Sequence, residues 1–337
     1  MANCCGYLRL VAGSVALFLV PISLAQHASP AAPAQANPAV KVSTVTYHGW
    51  PGSFVLSNGV AEVIVVPAVG RVMQFHFAGE DPVFWENPDL YSKTPDASSS
   101  KWQNFGGDKS WPAPQSDWPK MIGRGWPPPA TFDSTPVQGI PSPNEGLVDL
   151  LYPVDPKYGI RARRRIELNS REPMLTITTT YEKVSGDPVK VGIGVITQLK
   201  EPERIFMVLP AKSQFREGYV QQQFGPPQDL KIADGLVSMR AGKGAQIGSD
   251  ADTMLWMNQR YVLRIDSKRV PGAEYGEGGP NSTIYTSEIP PGYVELEPFG
   301  PLSIMKVGDT IQQSVIYKLM RRTEKDPAAE AKKLLRK

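Results

Sequence analysis

The sequence has little cysteine and histidine. Its two cysteines, Cys4 and Cys5, precede an apolar run, and its three histidines are His27, His48 and His76. Such scattered residues do not have the spacing of a transition-metal site. The acidic residues do not follow the ligand spacing of a calcium loop, and no glycine-rich stretch matches a phosphate-binding loop. We therefore expect neither a metal nor another cofactor.

The sequence also lacks a large excess of either charge, with 36 Lys+Arg against 33 Asp+Glu. A nucleic-acid-binding domain would be expected to have a basic excess clustered on one face. One basic cluster, Arg161, Arg163, Arg164 and Arg165, alternates in a strand-like stretch, and we interpret it as a solvated strand face. We expect no nucleic-acid partner.

Apolar runs of the roughly 20 residues that a membrane-spanning helix needs are absent as well. A shorter run, Leu10 to Ile22, follows Arg9 and precedes Ser23-Leu24-Ala25, whose small residues suit a signal peptidase. We expect residues 1–25 to be a signal peptide cleaved after Ala25, with a retained N-terminal anchor as the alternative. Cleavage predicts a secreted or periplasmic protein whose mature chain has no membrane span.

The predicted mature chain contains no cysteine, so it must be stable without disulfides. Residues 26–42 are rich in Ala, Pro, Gln and Asn, which predicts a disordered linker. Residues 43–321 would form one domain large enough to bury its own core. Residues 322–337 predict a C-terminal helix, with Asp326 as its cap and Pro327 at its first position.

Between the linker and that helix, short apolar stretches alternate with polar residues, and helical periodicity is scarce. Such stretches include Val60–Val66, Arg71–Phe77, Leu175–Tyr181, Val191–Gln198 and Ile311–Leu319. Alternation with a period of two is typical of strands. A long series of strands without intervening helices predicts an all-β protein with antiparallel sheets packed face to face.

The stretch from residue 101 to residue 143 contains four tryptophans among many prolines. We predict a long ordered loop there, without a regular helix or a central strand. Trp111 and Trp118 are accompanied by polar side chains, a mixture that suits a sugar-sized site. These candidate ligands are Asn104, Asp108, Lys109 and Gln115. Trp102 and Trp126 are assigned to packing, and the alternative is that all four tryptophans cap the sandwich.

Three segments resemble the galactose mutarotase-like, or aldose 1-epimerase-like, superfamily. They are the Gly-Arg pair at Gly70–Arg71 after a core strand, the stretch Asn104–Gln115, and the ending from Val294 to Leu319. The middle segment is similar to one found in an uncharacterised, often secreted branch. The resemblance covers roughly residues 45 to 319. It implies an antiparallel β-supersandwich that holds a sugar on its concave face. It also implies that a glutamate base and a histidine acid open the ring of that sugar.

The resemblance matches Glu297 to the base, and Glu295 lies on the same strand face. Mutual repulsion of two such carboxylates would raise one pKa and suit a base. Gln198 stands where the resemblance implies the histidine, and an amide hydrogen-bonds a hydroxyl but is not an acid. His76 is the remaining candidate acid, unless it is an ordinary surface histidine. Arg71 is either a sugar ligand or a structural partner of a carboxylate.

Three functions stay open on the sequence. We favour a carbohydrate-binding protein, because the scaffold and the candidate base are present without the expected acid. The second is a sugar epimerase or another carbohydrate-modifying enzyme that uses Glu297 with His76, Lys109 or Asp108 as acid. The third is a structural envelope protein without a pocket. The sequence leaves the sugar and the oligomeric state open.

Overall fold

The computed structural model describes residues 40–335, so the predicted signal peptide and most of the predicted linker lie outside the described residues. Ten of the 21 strands in these residues lie between residues 41 and 200. These are β1 (Lys41–Tyr47), β2 (Trp50–Ser57), β3 (Ala61–Val66), β4 (Arg71–Phe77), β5 (Asp108–Ala113), β6 (Gln138–Ser142), β7 (Leu147–Val154), β8 (Ile160–Leu168), β9 (Met174–Lys183) and β10 (Val189–Lys200). β1 begins inside the segment that the sequence assigns to the linker.

Eleven further strands and three α-helices complete the described chain. The strands are β11 (Arg204–Val208), β12 (Val220–Phe224), β13 (Gln228–Ala233), β14 (Leu236–Arg240), β15 (Ala245–Ser249), β16 (Thr253–Met257), β17 (Tyr261–Asp266), β18 (Ser282–Thr286), β19 (Tyr293–Pro298), β20 (Ser303–Met305) and β21 (Thr310–Arg321). The helices are α1 (Trp118–Ile122), α2 (Ala130–Asp133) and α3 (Pro327–Leu335), and 3-10 turns occur at Pro67–Val69, Pro88–Leu90 and Gln115–Asp117.

The strands form two large antiparallel sheets. The first has eleven strands in the order β1-β2-β3-β4-β5-β10-β19-β18-β15-β12, with β20 paired to β10. The second has ten strands in the order β13-β14-β11-β16-β17-β21-β9-β8-β7-β6. One apolar core joins Val63 and Val195 of the first sheet to Ile177 and Val315 of the second. This arrangement confirms the predicted all-β sandwich.

Burial along the strands explains why these residues form sheets. β9 alternates strictly between buried and half-buried positions, as expected of a strand with one face on the core. β10 is buried at nearly every position. Its Val191, Ile193 and Val195 belong to the core, and the opposite face is covered by other parts of the chain. β10 is therefore the strand around which a buried site can be built.

The prediction that residues 101–143 contain no central strand is wrong. β5 lies between β4 and β10, and Pro112 pairs with Ile193. Proline is tolerated there because β4 pairs with β5 only at its first residue, Asp108, so the other edge of Pro112 has no ladder to complete. The interpretation of the arginine cluster as a solvated face is wrong for Arg164, which is fully buried.

The predicted C-terminal helix is confirmed as α3. Asp326 caps it, because its carboxylate accepts hydrogen bonds from the backbone N–H groups of Ala328 (3.2 Å) and Ala329 (3.3 Å). Ala331 packs into a small apolar cluster with Phe206 of the second sheet. Within residues 40–335, no helix combines the length and the apolar character needed to cross a membrane.

Candidate functional site

A cleft of about 610 Å³ lies on the first sheet, on the face opposite the core residues Val294 and Leu296. Strand alternation produces this arrangement, because it turns the intervening residues of β19 to the other face. Aromatic, amide and carboxyl side chains line the cleft. The principal ones are Trp102, Trp111, Trp118, Trp126, Tyr285, Tyr293, Phe224, Phe299, Gln115, Gln221, Gln222, Gln223, Gln246, Glu277, Glu295 and Glu297.

Glu295 and Glu297 form the carboxyl pair of the cleft, and each residue is only 6% exposed. Gln198 of β10 lies directly across from Glu295 in the strand register, and its Nε2 donates a 2.8 Å hydrogen bond to Glu295 Oε1. The Gln198 Oε1 atom is buried and has no hydrogen-bond partner among the described residues. The Gln198 amide thus binds one carboxylate of the pair through its Nε2, while its Oε1 remains an unused hydrogen-bond acceptor.

Lys109 lies beneath the cleft surface rather than in its lining. Its Nζ is 3.8 Å from Glu295 Oε1 and is 5.0 Å from the ring centroid of Trp111 and 5.9 Å from that of Trp102. Within residues 40–335 this buried ammonium has no hydrogen-bond partner. Burial lowers the pKa of Lys109 to about 8, although the negative charge of Glu295 opposes the shift.

Burial also perturbs the two carboxyl groups. The pKa of Glu297 is raised well above its usual value, first by burial and then by the negative charge of Glu295. The pKa of Glu295 is raised by burial, while Lys109 and the hydrogen bond from Gln198 oppose this rise. The larger rise makes Glu297 the more readily protonated member of the pair. One group can donate a proton and the other can accept one.

The four tryptophans form a continuous wall. The centroid of Trp111 lies 5.7 Å from that of Trp118 and 5.8 Å from that of Trp126, and Trp102 lies 4.8 Å from Trp126. Trp126 is 45% exposed. All four rings line the cleft, so the structure differs from the expectation that Trp102 and Trp126 serve packing alone.

Asp133 holds this wall in place from α2. Its carboxylate accepts hydrogen bonds from the indole N–H of Trp111 (2.9 Å) and from that of Trp102 (3.0 Å). Arg71 Nη2 donates to the same carboxylate at 2.9 Å, and Arg71 Nη1 donates to the Gly106 carbonyl at 2.7 Å. Arg71 is fully buried and does not line the cleft. The structure places Arg71 as a partner of a carboxylate, the second of the two sequence interpretations.

Asp108 points between the sheets and away from the cleft. It forms a fully buried ion pair with Arg164 of the second sheet, and it accepts hydrogen bonds from the hydroxyls of Thr197 (2.6 Å) and Tyr317 (2.7 Å). The neighbour Lys109 points to the opposite face, as β5 geometry requires. The Asn104 side chain accepts a 3.3 Å hydrogen bond from Gly106 N and also lies outside the lining.

His76 is likewise outside the cleft lining. It lies on β4, opposite Glu62 of β3, and its Nδ1 is 2.9 Å from the Phe77 carbonyl oxygen. The structure thus brings Trp111, Gln115, Trp118, Glu295 and Glu297 together at the cleft, with Lys109 and Gln198 beneath them. It does not bring Arg71, Asn104, Asp108 or His76 into that lining.

Sequence reasoning missed an entire side of the cleft. Residues 221–223 are three consecutive glutamines on β12, and Glu277 and Tyr285 come from the region around β18. The glutamine run was a visible signal, but β15 and β18 separate β12 from β19 in the sheet, and no sequence cue predicts that order. Within residues 40–335, no group of three His, Cys, Asp or Glu side chains is placed to bind a metal.

No family model and no curated protein matches this sequence. Solved structures match its fold. A galactose mutarotase-like protein from Lactobacillus casei has a TM-score of 0.53 and 10% identity, covering 80% of this chain and 100% of that one. A galactose mutarotase-like protein from Clostridium acetobutylicum has a TM-score of 0.53 and 10% identity, covering 84% of this chain and 99% of that one. A candidate aldose 1-epimerase from Escherichia coli K12 has a TM-score of 0.53 and 14% identity, covering 84% of this chain and 99% of that one. The chain therefore has the galactose mutarotase-like fold, as the resemblance of its sequence implies.

Proposed function

We propose that this protein binds a carbohydrate in the tryptophan-lined cleft. The observation behind the proposal is that four tryptophan rings and a pair of buried carboxyl groups line the same cavity. The apolar face of a sugar ring packs on indole rings, while its hydroxyls need hydrogen-bonding groups placed around the rim. Here the rim offers amides of Gln115 and Gln246 and the carboxyl groups of Glu295 and Glu297.

The dimensions of the cleft support the same proposal. Its volume of about 610 Å³ lies within the range of roughly 300–1,000 Å³ found for small-molecule sites. The similar structures from Lactobacillus casei and Clostridium acetobutylicum are described as galactose mutarotase-like. A structural envelope protein would need no such cleft, so a binding experiment separates the two functions.

Turnover of the bound sugar is the second candidate function, and the perturbed pKa values of the carboxyl pair favour it. Groups whose pKa lies near the working pH are effective general acids and bases. Glu297 would act as the acid and Glu295 as the base, since His76 is outside the cleft lining. This assignment differs from the one that the sequence resemblance implies, in which Glu297 is the base.

Binding is tested by isothermal titration of the protein with a panel of mono- and oligosaccharides. We expect saturable binding by the wild type and a loss of about fivefold or more in Trp126→Ala, because stacking on one aromatic ring contributes about 1 kcal/mol. Trp126 is partly exposed, so its removal should leave the fold intact. Ile304→Ala, an exposed residue outside the lining, is the matched control. No binding of any saccharide at millimolar concentration would refute the proposal.

Turnover is tested by polarimetry on freshly dissolved α-glucose and α-galactose. We expect an enzyme to accelerate the optical change and Glu297→Gln to remove most of the acceleration, since a glutamine side chain is not an acid. A rate equal to that of buffer, or one unchanged by Glu297→Gln, would exclude mutarotation by this pair while leaving binding as the function.

We also propose that the protein is secreted or periplasmic, on the basis of the sequence pattern of residues 1–25. The check is the N-terminal residue of protein recovered from the producing cells. A mature chain that begins at Gln26 is the expected result, and an intact N-terminus would contradict it.

A further inference from the structure

The charge of the cleft suggests which sugars it accepts. Every charged side chain among its lining residues is a glutamate, namely Glu277, Glu295 and Glu297, and no arginine, lysine or histidine of residues 40–335 belongs to the lining. Only Glu295 has a cationic partner, the buried Lys109 at 3.8 Å. Glu277 and Glu297 have no ion-pair partner within the described part of the chain. Two carboxyl groups thus face the cavity without a countercharge.

The aromatic side chains of the cleft favour a positively charged ligand, as the carboxyl groups do. The faces of indole and phenol rings are negative, so they attract cations that lie over them. The protein already uses this attraction, because the Lys109 ammonium lies over Trp111 and Trp102 from beneath the cleft surface. Further aromatic residues line the cavity: the ring centroid of Tyr285 lies 6.1 Å from that of Tyr293 and 5.4 Å from that of Phe224. A cation in the cleft would be surrounded by ring faces and carboxyl groups.

From this geometry, and resting on the proposed carbohydrate function, we propose that the ligand is an amino sugar with a free ammonium group that pairs with Glu297. A uronic acid or a sugar phosphate would instead bring its anion against unpaired carboxyl groups, where like charges repel. A neutral sugar would gain the stacking contacts without the ion pair.

Burial and the neighbouring carboxylate of Glu295 raise the pKa of Glu297, so a positive charge placed beside it would favour the ionised carboxylate. The titratable groups around it are Glu295 on its own strand, Lys109 on β5, Glu277 in the loop before β18, and the phenols of Tyr285 and Tyr293. The phenols remain neutral near pH 7, because burial raises the pKa of Tyr285 to about 12 and that of Tyr293 further. An ammonium group that binds beside Glu297 would therefore lower its pKa, and a proton held there would be released.

The experiment is calorimetric titration with matched sugars that differ only in charge. In the gluco and galacto series, the free amine is compared with the neutral hexose, the N-acetylated amine and the uronic acid, each as the monosaccharide and as a disaccharide. We expect the amine to bind at least about tenfold more tightly than the neutral sugar, since about 1.4 kcal/mol of ion pairing has that effect. The uronic acid should bind most weakly. The amine should also release a proton, measured as a heat that changes with the ionisation enthalpy of the buffer.

Two variants link the preference to its residues. In Glu297→Gln the amine should lose most of its advantage over the neutral sugar, and the proton release should vanish. Glu277→Gln, at a partly exposed position, should reduce the preference in part. Glu274→Gln is the matched control, because this glutamate lies outside the lining and pairs with Lys190.

The outcomes separate the two proposals. If neutral sugars or uronic acids bind as tightly as the amines, amino-sugar selectivity is refuted and carbohydrate binding stands. If tetramethylammonium binds as tightly as the amino sugars, the cleft recognises a cation without a saccharide, which refutes both. If no sugar of any charge binds, both proposals fail.

Discussion

The Lys109 ammonium lies 3.8 Å from the carboxylate of Glu295; both side chains are buried, and Glu295 lines the cleft while Lys109 lies beneath it. Gln198 donates a hydrogen bond to the same carboxylate, which leaves Lys109 without one among the described residues. Because a buried charge is costly unless it is paired, each of these two charges stabilises the ionised form of the other. Four predictions concern this pair and its surroundings.

Replacing Lys109 by methionine should destabilise the protein at neutral pH by about 3–5 kcal/mol, because Glu295 then lacks its countercharge. The loss should be smaller at about pH 4.5, where Glu295, whose pKa is already raised, accepts a proton instead. Urea denaturation at the two pH values measures the difference. Lys190→Met, which removes an exposed lysine from a surface ion pair, is the control. An equal loss at both pH values would contradict the ion-pair explanation.

Tryptophan fluorescence should report the titration of Lys109. Its pKa is lowered to about 8, and its charge lies 5.0 Å from the centroid of Trp111. As the pH rises through about 8, loss of that charge changes the electrostatic environment of the indole. We expect an emission change with a midpoint near that pH in the wild type and none in Lys109→Met. A titration that persists in the variant would assign the change to another group.

Replacing Glu297 by glutamine should stabilise the protein at neutral and alkaline pH. A group whose pKa is raised in the folded state contributes stability below its unfolded value of 4.5, and that contribution is lost as the pH rises through the folded pKa. The advantage of Glu297→Gln should grow by up to about 1.4 kcal/mol for each pH unit within this window. Urea unfolding between about pH 4 and pH 8 measures it. A variant less stable than the wild type throughout would show that the ionised carboxylate is the favoured form.

Asp108 should prove structural. Asp108→Ala leaves the buried guanidinium of Arg164 unpaired, which should cost about 3–5 kcal/mol of the free energy of unfolding. The double variant with Arg164→Met should lose less than Asp108→Ala alone, because no unpaired charge remains. The neighbouring exposed pair of Arg161 and Glu182 is the control, and Glu182→Ala should cost no more than about 1 kcal/mol. Additive losses in the double variant would contradict a buried ion pair.

The alternation of β19 was readable in the sequence, and it placed Glu295 and Glu297 on one face with Val294 and Leu296 on the other. The hairpin of β3 and β4 and the capped helix α3 were readable for the same reason, since their signals are local. The strand β5 was not readable. Its proline and the prolines around it indicate a loop, and only the absence of a partner along most of one edge makes a strand possible there.

Because β5 was not predicted, Asp108 was assigned to the cleft, although it lies between the sheets. Without β5, Asp108 and Lys109 are two neighbouring polar groups of a loop; within a strand they point to opposite faces. The cleft side chains of β12 and β18 come from more than 100 residues after Trp111, and no local pattern pairs such distant segments.

The sequence by itself determined the strand-rich class, the carboxyl pair on β19 and the C-terminal helix, because these depend on residue periodicity and short-range caps. Only the tertiary structure decided that Asp108 belongs to the core and that Lys109 lies under the cleft. It also decided that an all-glutamate set of charges faces a tryptophan wall. These outcomes depend on which strands become neighbours, and that is set by burying one shared core between two sheets rather than by any single stretch of chain.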